Sequence, residues 1–150
     1  MGAVVADFNG DGTPFFGYIK RVDANIGNTI IAFENSKLPD LTVPKTYGGV
    51  VSSLRLDGFN RDLLLLEAKL KDPVFTKYYL YVLKNNRWKP VMNGFAIHQD
   101  NQKDVAVPIW NDTLNPSNLM RHYSVFDLDK SSELGYTWRL LQESVPIKNR

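Results

Sequence analysis

The sequence predicts an all-β fold, and three observations lead to this fold class. No stretch of ten residues keeps the hydrophobic period of an amphipathic helix. Short apolar or aromatic segments alternate with turns rich in Gly, Pro, Asn and Asp along the chain. Segments 63–66, 78–83 and 105–110 are apolar on successive residues, so both of their faces need cover. Such strands suit stacked sheets, or propeller blades packed between their neighbours.

Length and composition narrow the classes of protein. The 150 residues, 43% of them hydrophobic, suit one buried core, so we expect a single all-β domain over 1–150. The net charge of +2 is mild and the basic residues are scattered, so we expect no nucleic-acid partner. No apolar run approaches the ~20 residues of a membrane helix, and no signal peptide is visible at the N-terminus.

The first third of the chain reads as three strands and a loop. Segment 3–6 is a short apolar strand that ends at an acidic loop, and 14–19 is an aromatic-rich strand. After a turn, 29–33 forms the third strand. The stretch 34–49 contains two prolines and two adjacent glycines, which predicts a long loop with one brief edge strand.

The remainder repeats this alternation. The polar loop 57–62 separates two apolar segments, and the polar stretch 98–104 separates two others. The Asn85-Asn86 pair predicts a turn. The predicted strands of this part are 50–56, 63–66, 75–84, 88–91, 95–97, 105–110, 122–126 and 134–141. We expect five of their side chains to be largely buried: Leu64, Leu66, Tyr79, Val107 and Trp138. We expect all three tryptophans to pack between sheets.

The acidic loop after the first strand is the sharpest local signal. Asp7, Asn9 and Asp11 place oxygen-bearing side chains on alternate residues, and Gly12 allows the chain to fold back. Such oxygens converge on a hard cation in calcium-binding loops. The alternative is a turn whose side chains accept hydrogen bonds from the loop's own backbone N–H groups.

This loop, placed between two apolar strands, resembles the FG-GAP/VCBS repeat, the unit of integrin-type β-propellers that carry calcium in the first loop of a blade. The resemblance implies that Asp7, Asn9, Asp11 and the Thr13 carbonyl are metal ligands. Phe15 stands where the family supplies a further Asp, so the implied calcium site has an incomplete shell and weak affinity.

Later loops carry parts of the same pattern. Asp62 and Asp104 each precede an apolar segment, as the closing acid of the family's loop does, with Asp100 upstream of the second. Asp127 and Asp129 match the first two positions of a shortened loop; their alternative role is again a simple turn.

The resemblance implies propeller-like antiparallel blades, about three plus a partial one. Because closed propellers have about 4–8 blades, the ring would be incomplete or would be completed by oligomerisation. A compact β-sandwich is the alternative.

The function implied is a non-catalytic binding or interaction module for a protein or carbohydrate partner, in the periplasm or outside the cell. The alternative is a polysaccharide-acting enzyme or a lectin-like carbohydrate binder, for which Tyr78, Tyr79 and Tyr81 offer stacking surfaces. The chain has no nucleophile elbow, no His-Glu-x-x-His and no phosphate-binding loop. Enzymatic activity therefore stays open, with the non-enzymatic role favoured.

Three further candidates have simple structural alternatives. His98 with Asp100 and Asp104 is a candidate metal cluster or a solvated turn. His122 is a candidate ligand or a packed strand residue. Asn111 begins an Asn-x-Thr glycosylation sequon, which matters only in a eukaryotic secretory protein.

Overall fold

Twelve strands and one helical turn make up the computed structural model, which describes residues 2–150. The all-β prediction is confirmed. The strands are β1 (Ala3–Ala6), β2 (Phe15–Asp23), β3 (Asn28–Phe33), β4 (Leu41–Pro44), β5 (Gly49–Leu54), β6 (Leu63–Lys69), β7 (Phe75–Lys84), β8 (Arg87–Pro90), β9 (Phe95–His98), β10 (Ile109–Asn111), β11 (Asn118–Leu128) and β12 (Tyr136–Pro146). The helical turn, α1 (Gln99–Gln102), lies between β9 and β10.

The strands form three antiparallel sheets, and in each sheet the order follows the chain. Sheet 1 is β1-β2-β3-β4, sheet 2 is β5-β6-β7-β8, and sheet 3 is β10-β11-β12. Strand β9 also belongs to sheet 2: it pairs with the first half of β7, while β8 pairs with the second half. None of the three sheets, as far as residues 2–150 define them, closes on itself. The structure thus supports antiparallel sheets and leaves the propeller arrangement a proposal.

Sheet 2 is the middle layer of a three-layer stack. Leu64 and Leu66 of β6 point into cluster 1, the apolar core that sheet 2 shares with sheet 1. Leu63 and Leu65 of the same strand point into cluster 2, which sheet 2 shares with sheet 3. Because side chains alternate along a strand, a continuous run of leucines fills both cores. The expectation of cover on both faces is confirmed for segments 63–66 and 78–83.

Four aromatic rings pack together within cluster 1. Phe8 packs against Phe15 and against Trp88, each with a centroid separation of 5.3 Å, and Phe33 stacks on Trp88 at 4.9 Å. Trp88 therefore lies between sheets 1 and 2, as predicted. Its buried indole Nε1 has no hydrogen-bond acceptor among residues 2–150. Offset and edge-on aromatic contacts of this kind stabilise a core beyond their buried area.

The joint between sheets 1 and 2 is a short, closely packed segment, 45–49. Thr46 Oγ1 lies 2.7 Å from both Thr29 Oγ1 and the Val43 carbonyl, and the Gly48 N–H donates to Thr29 Oγ1 at 2.9 Å. Since each hydroxyl carries one proton, Thr46 donates to the carbonyl and receives the proton of Thr29. A Cβ on Gly49, whose φ is +146°, would lie 1.9 Å from the Glu67 carbonyl oxygen.

Two predictions about the segment 105–110 are wrong. Only its last two residues belong to a strand, β10, because the preceding residues continue the turn that follows α1, with Val105 N–H donating to the Gln102 carbonyl. Pro108, which has no N–H to donate, directly precedes the strand. Val107 is 51% exposed rather than buried.

Of the other burial predictions, some are confirmed and some are not. Leu64 and Leu66 are fully buried, as expected, whereas Tyr79 and Trp138 are half-buried. Trp138 packs edge-on against Phe75 of sheet 2 and so lies between sheets 2 and 3. Trp110 instead packs against His122 within sheet 3, which departs from the expectation. The brief edge strand predicted within 34–49 is β4.

Over residues 2–150, no helix is long and apolar enough to span a membrane.

Candidate functional site

The acidic loop joins β1 to β2, and its carboxylates accept hydrogen bonds from its own backbone. Asp7 accepts from the N–H groups of Asp11, at 3.2 Å, and Gly12, at 3.0 Å. Asp11 accepts from the Thr13 N–H at 2.9 Å. Gly10 and Gly12 adopt positive φ values, which permit the tight reversal. The loop therefore contains the turn that was given as the alternative to a calcium site, in which side chains accept hydrogen bonds from the loop's own backbone.

Asp62, singled out from the sequence as a closing acid, meets this loop from the neighbouring sheet. The Asp7 N–H donates to Asp62 Oδ2 at 2.9 Å, and the Asp62 N–H donates to the Asp7 carbonyl at 3.0 Å. Arg55 pairs with the other oxygen of the same carboxylate at 3.3 Å. A Cβ on Gly10 would lie only 2.6 Å from the Asn60 carbonyl oxygen. The acidic loop and the loop before β6 are thus locked together.

The capacity of the loop to bind a cation depends on the oxygen atoms that its own hydrogen bonds leave free. Asn9, Asp11 and Thr13 line an open cleft of about 290 Å³ together with Glu34. Phe15, two residues after Thr13, is buried in cluster 1 and supplies no oxygen ligand. No group of three or more His, Cys, Asp or Glu side chains suited to hold a metal occurs among residues 2–150. Any cation here would rely on the carboxylates of Asp11 and Glu34, an amide, a carbonyl and water.

His98 is a packed residue rather than part of an open cluster. It is 7% exposed, its ring stacks on Trp138 at 4.2 Å, and its Nδ1 accepts from the Asp100 N–H at 3.1 Å. The side chain of Asp100 lies 3.7 Å from the same nitrogen. No hydrogen bond between described residues joins the Asp104 side chain to this group. The histidine thus caps α1 and anchors sheet 3 to β9.

A buried polar contact beside His98 was not predicted. Asn101, also buried, donates from Nδ2 to the Trp138 carbonyl at 3.1 Å and accepts from the Ser124 hydroxyl at 2.8 Å. Ser124 in turn accepts from the His98 N–H at 2.9 Å. The partners are 23 to 37 residues apart in the chain, so no local sequence pattern identifies them.

Asp127 and Asp129 are engaged separately. Asp127 pairs with Arg139 across the β11–β12 hairpin at 3.1 Å. Asp129 accepts from the hydroxyl and the N–H of Ser131, which hold the pKa of this exposed carboxyl below its usual range. The turn interpretation describes this loop.

The three tyrosines have different surroundings. Tyr78 is buried in cluster 2, where its ring stacks on Phe95 and its hydroxyl donates to Gln102 at 3.0 Å. Tyr79 and Tyr81 have near-parallel rings 6.4 Å apart and line a cleft of about 220 Å³ with Asn93. Burial raises the pKa of the Tyr81 hydroxyl, with a smaller contribution from Tyr79.

Paired carboxylates occur in one cleft away from the acidic loop. Asp57 and Asp112 line a cavity of about 370 Å³. The Ser144 hydroxyl and backbone N–H groups lower the pKa of Asp112, so this carboxyl stays ionised and is poorly suited as a general acid. Asn111 exchanges hydrogen bonds with the Asp57 backbone through both atoms of its amide, so the sequon asparagine has a structural role.

An exposed apolar cluster at the tip of the β11–β12 hairpin was also missed. Phe126, Leu128, Leu134 and Tyr136 are 51%, 80%, 72% and 37% exposed. The Phe126 ring lies 5.0 Å from that of Tyr136 and 5.4 Å from that of Trp138. The sequence offered a weak signal, since 126–138 is rich in aromatic and aliphatic residues but also carries turn residues.

Comparison of the chain with protein-family models, with curated proteins and with solved structures gives no match.

Proposed function

We propose that this chain is a non-catalytic interaction module that binds a protein partner through the tip of the β11–β12 hairpin. The observation that carries the proposal is the exposed cluster of Phe126, Leu128, Leu134 and Tyr136. Contiguous apolar groups on a surface are typical of binding sites, and aromatic anchors dominate interface energetics. The hairpin pairs eleven residues of each strand, so its tip is presented on a regular ladder.

The same proposal includes kinship with FG-GAP/VCBS repeats, an extracellular or periplasmic setting and a weak calcium site at Asp7, Asn9, Asp11 and Thr13. Three sequential antiparallel sheets stacked face to face, and an acidic loop directly after a first strand, support it. Assembly of copies into a fuller ring belongs to the proposal too, since sheets 1 and 3 each have one face that no further sheet within residues 2–150 covers.

Site-specific photo-crosslinking tests the interaction in cells. A benzophenone amino acid at Phe126 should give a discrete covalent adduct with a partner protein. The matched control is the same label at Leu114, which is 94% exposed in a different loop. Adducts at Phe126 that disappear in the Leu128→Ser background support the proposal. Identical adducts at both labelled positions, or none at Phe126, contradict it.

Calcium binding has its own test. An incomplete shell predicts a dissociation constant on the order of 0.1–1 mM or weaker. Calcium at tenfold excess over that constant stabilises the native state by about 1.4 kcal/mol, a shift of a few degrees in melting temperature. Magnesium should shift it less, and Asp11→Ala should abolish the effect while Asp104→Ala keeps it. Absence of both heat and stabilisation at several millimolar calcium would leave only the turn.

A second candidate function is carbohydrate binding at the cleft of Tyr79 and Tyr81. Near-parallel aromatic rings beside an amide, here Asn93, suit the apolar face and hydroxyls of a sugar. On a glycan array, Tyr79→Leu should remove a signal that Tyr136→Leu, at the hairpin tip, retains. The reverse pattern would assign the sugar to the tip, and an empty array would remove this candidate.

A further inference from the structure

A cleft distinct from the hairpin tip and from the tyrosine cleft lies between the loop before β6 and the end of β7. It has a volume of about 490 Å³. Its charged lining residues are Arg61, Lys84 and Arg150, and no Asp or Glu side chain lines it. Arg150 donates to the Pro116 carbonyl, whereas Arg61 lies in the loop before β6 and Lys84 at the end of β7.

Arg61 is fixed in place with donors to spare. Its Nη1 donates to the Leu83 carbonyl at 2.7 Å and its Nε donates to Asn60 Oδ1 at 2.9 Å. A guanidinium has five N–H donors, so three have no acceptor among residues 2–150. No carboxylate of the described residues forms an ion pair with Arg61 or Lys84. The guanidinium is therefore pre-organised by neutral partners and keeps its full charge available.

The hairpin that ends β7 places a further cation, Arg87, beside Lys84, outside the residues that line the cleft. Lys84 pairs directly with Arg87 in the β7–β8 register, across the Asn85-Asn86 turn, whose two residues have positive φ. Directly opposed residues of an antiparallel pair lie on the same face of the sheet, so Arg87 and Lys84 share a face. Like charges in this arrangement destabilise the pair unless an anion lies between or beside them.

The loop contributes neutral donors as well. The backbone N–H groups of Gly58, Asn60 and Arg61 have no acceptor within residues 2–150. Gly58 adopts a φ of +87°, and a Cβ there would meet nothing within 4 Å, so the backbone is open on that side. Unpaired backbone N–H groups of a loop that lines a cleft are available as donors to an anion.

We propose that this cleft binds an oxyanion, the phosphate or sulfate group of a small ligand. A tetrahedral oxyanion presents several acceptor oxygens, which match the planar fork of Arg61, and the ammonium of Lys84 supplies a point charge. Phe59, which is 8% exposed, is the apolar lining residue with accessible surface for the remainder of the ligand. This site requires neither the partner at the hairpin tip nor calcium.

Titration followed by amide NMR tests the site with defined probes. Inorganic pyrophosphate and inorganic sulfate, and then a sugar phosphate and the matching sugar sulfate, are added to the full chain at low ionic strength, since salt screens the attraction. We expect saturable shifts of the Gly58 and Arg61 amides with a dissociation constant on the order of 1 mM. The sugar ester with the lower dissociation constant shows whether the cleft prefers a phosphate or a sulfate group.

Two variants with the same change in net charge separate a site from general attraction. Lys84→Met should weaken binding about tenfold, as expected for loss of one charged hydrogen bond. Lys130→Met, in the hairpin-tip loop, should leave binding within about twofold. Circular dichroism confirms that both variants fold. Absence of saturable shifts with every probe, or an equal effect of the two variants, would overturn the proposal.

Discussion

The hydrogen-bonded hydroxyls of Thr29 and Thr46, a buried relay at the joint between sheets 1 and 2, allow a quantitative prediction about stability. Thr29 and Thr46 are both fully buried, and each replacement by valine conserves shape while it removes one hydroxyl. Thr29→Val leaves the Gly48 N–H without an acceptor and Thr46 without a donor. An unsatisfied buried polar group costs about 1–3 kcal/mol, so we expect this variant to lose about 2–4 kcal/mol.

The partner substitution should cost less, and the two should be coupled. Thr46→Val removes the donor to the Val43 carbonyl and one partner of Thr29, and we expect a loss of about 1–3 kcal/mol. In the double variant the broken contact between the two hydroxyls is counted once, so the loss should fall short of the sum by about 1 kcal/mol. Thr42→Val, on the exposed side of β4, is the matched control and should change stability by about 0.5 kcal/mol or less.

Urea unfolding monitored by tryptophan fluorescence measures these quantities, because Trp88, one of the three tryptophans, lies in the core between sheets 1 and 2. The midpoints should move while the slope with denaturant stays constant, as expected when only native-state contacts change. A cost for Thr29→Val no larger than that of Thr42→Val would refute the buried relay. Strict additivity of the two buried substitutions would refute the contact between the hydroxyls.

Three other outcomes follow from the packing and the titrating groups. Gly49→Ala should prevent accumulation of folded protein, because the added Cβ would overlap the Glu67 carbonyl. Gly58→Ala, where a Cβ meets nothing within 4 Å, is the control and should stay soluble. Equal solubility of the two variants in a centrifugation assay would contradict the close approach at Gly49. Phe8→Ala should cost about 3–5 kcal/mol by thermal unfolding, and Phe126→Ala should cost far less, since one ring is buried and the other exposed. Burial raises the pKa of the Tyr81 hydroxyl in the fold, so above the unfolded-state pKa of about 10 the unfolded chain ionises first and the stability of the fold decreases as pH rises. Tyr81→Phe removes this titration and should resist alkaline unfolding; identical alkaline midpoints would contradict this.

Strand positions could be predicted from the sequence wherever local chemistry decides them. Segment 3–6 matches β1 and 75–84 matches β7, because turn residues border both. The Asn85-Asn86 turn has the two positive φ values that a two-residue hairpin requires. The leucine run of β6 correctly predicted cover on two faces, since alternation sends neighbouring leucines to opposite cores.

What was not predicted has two physical origins, local backbone chemistry at Val107 and tertiary context elsewhere. Val107 reads as a strand residue, but the turn after α1 and the missing N–H of Pro108 keep it outside the ladder. The contact of Asp62 with Asp7 spans 55 residues, and the assembly of Arg61 with Lys84 depends on how two loops pack. Such groupings leave no periodic pattern in the chain, so a single sequence does not reveal them.

The sequential order of strands within each sheet has a consequence for folding during synthesis. Sheet 1 uses only residues 3–44, so its hairpins involve short loop closures and can form as soon as that length is free. Its inner aromatic residues, among them Phe8 and Phe33, then lack their cover until β6 and Trp88 have emerged. The first third of the chain therefore exposes an apolar face until later residues have been synthesised. We expect chaperone binding to the nascent chain to be strongest in that interval.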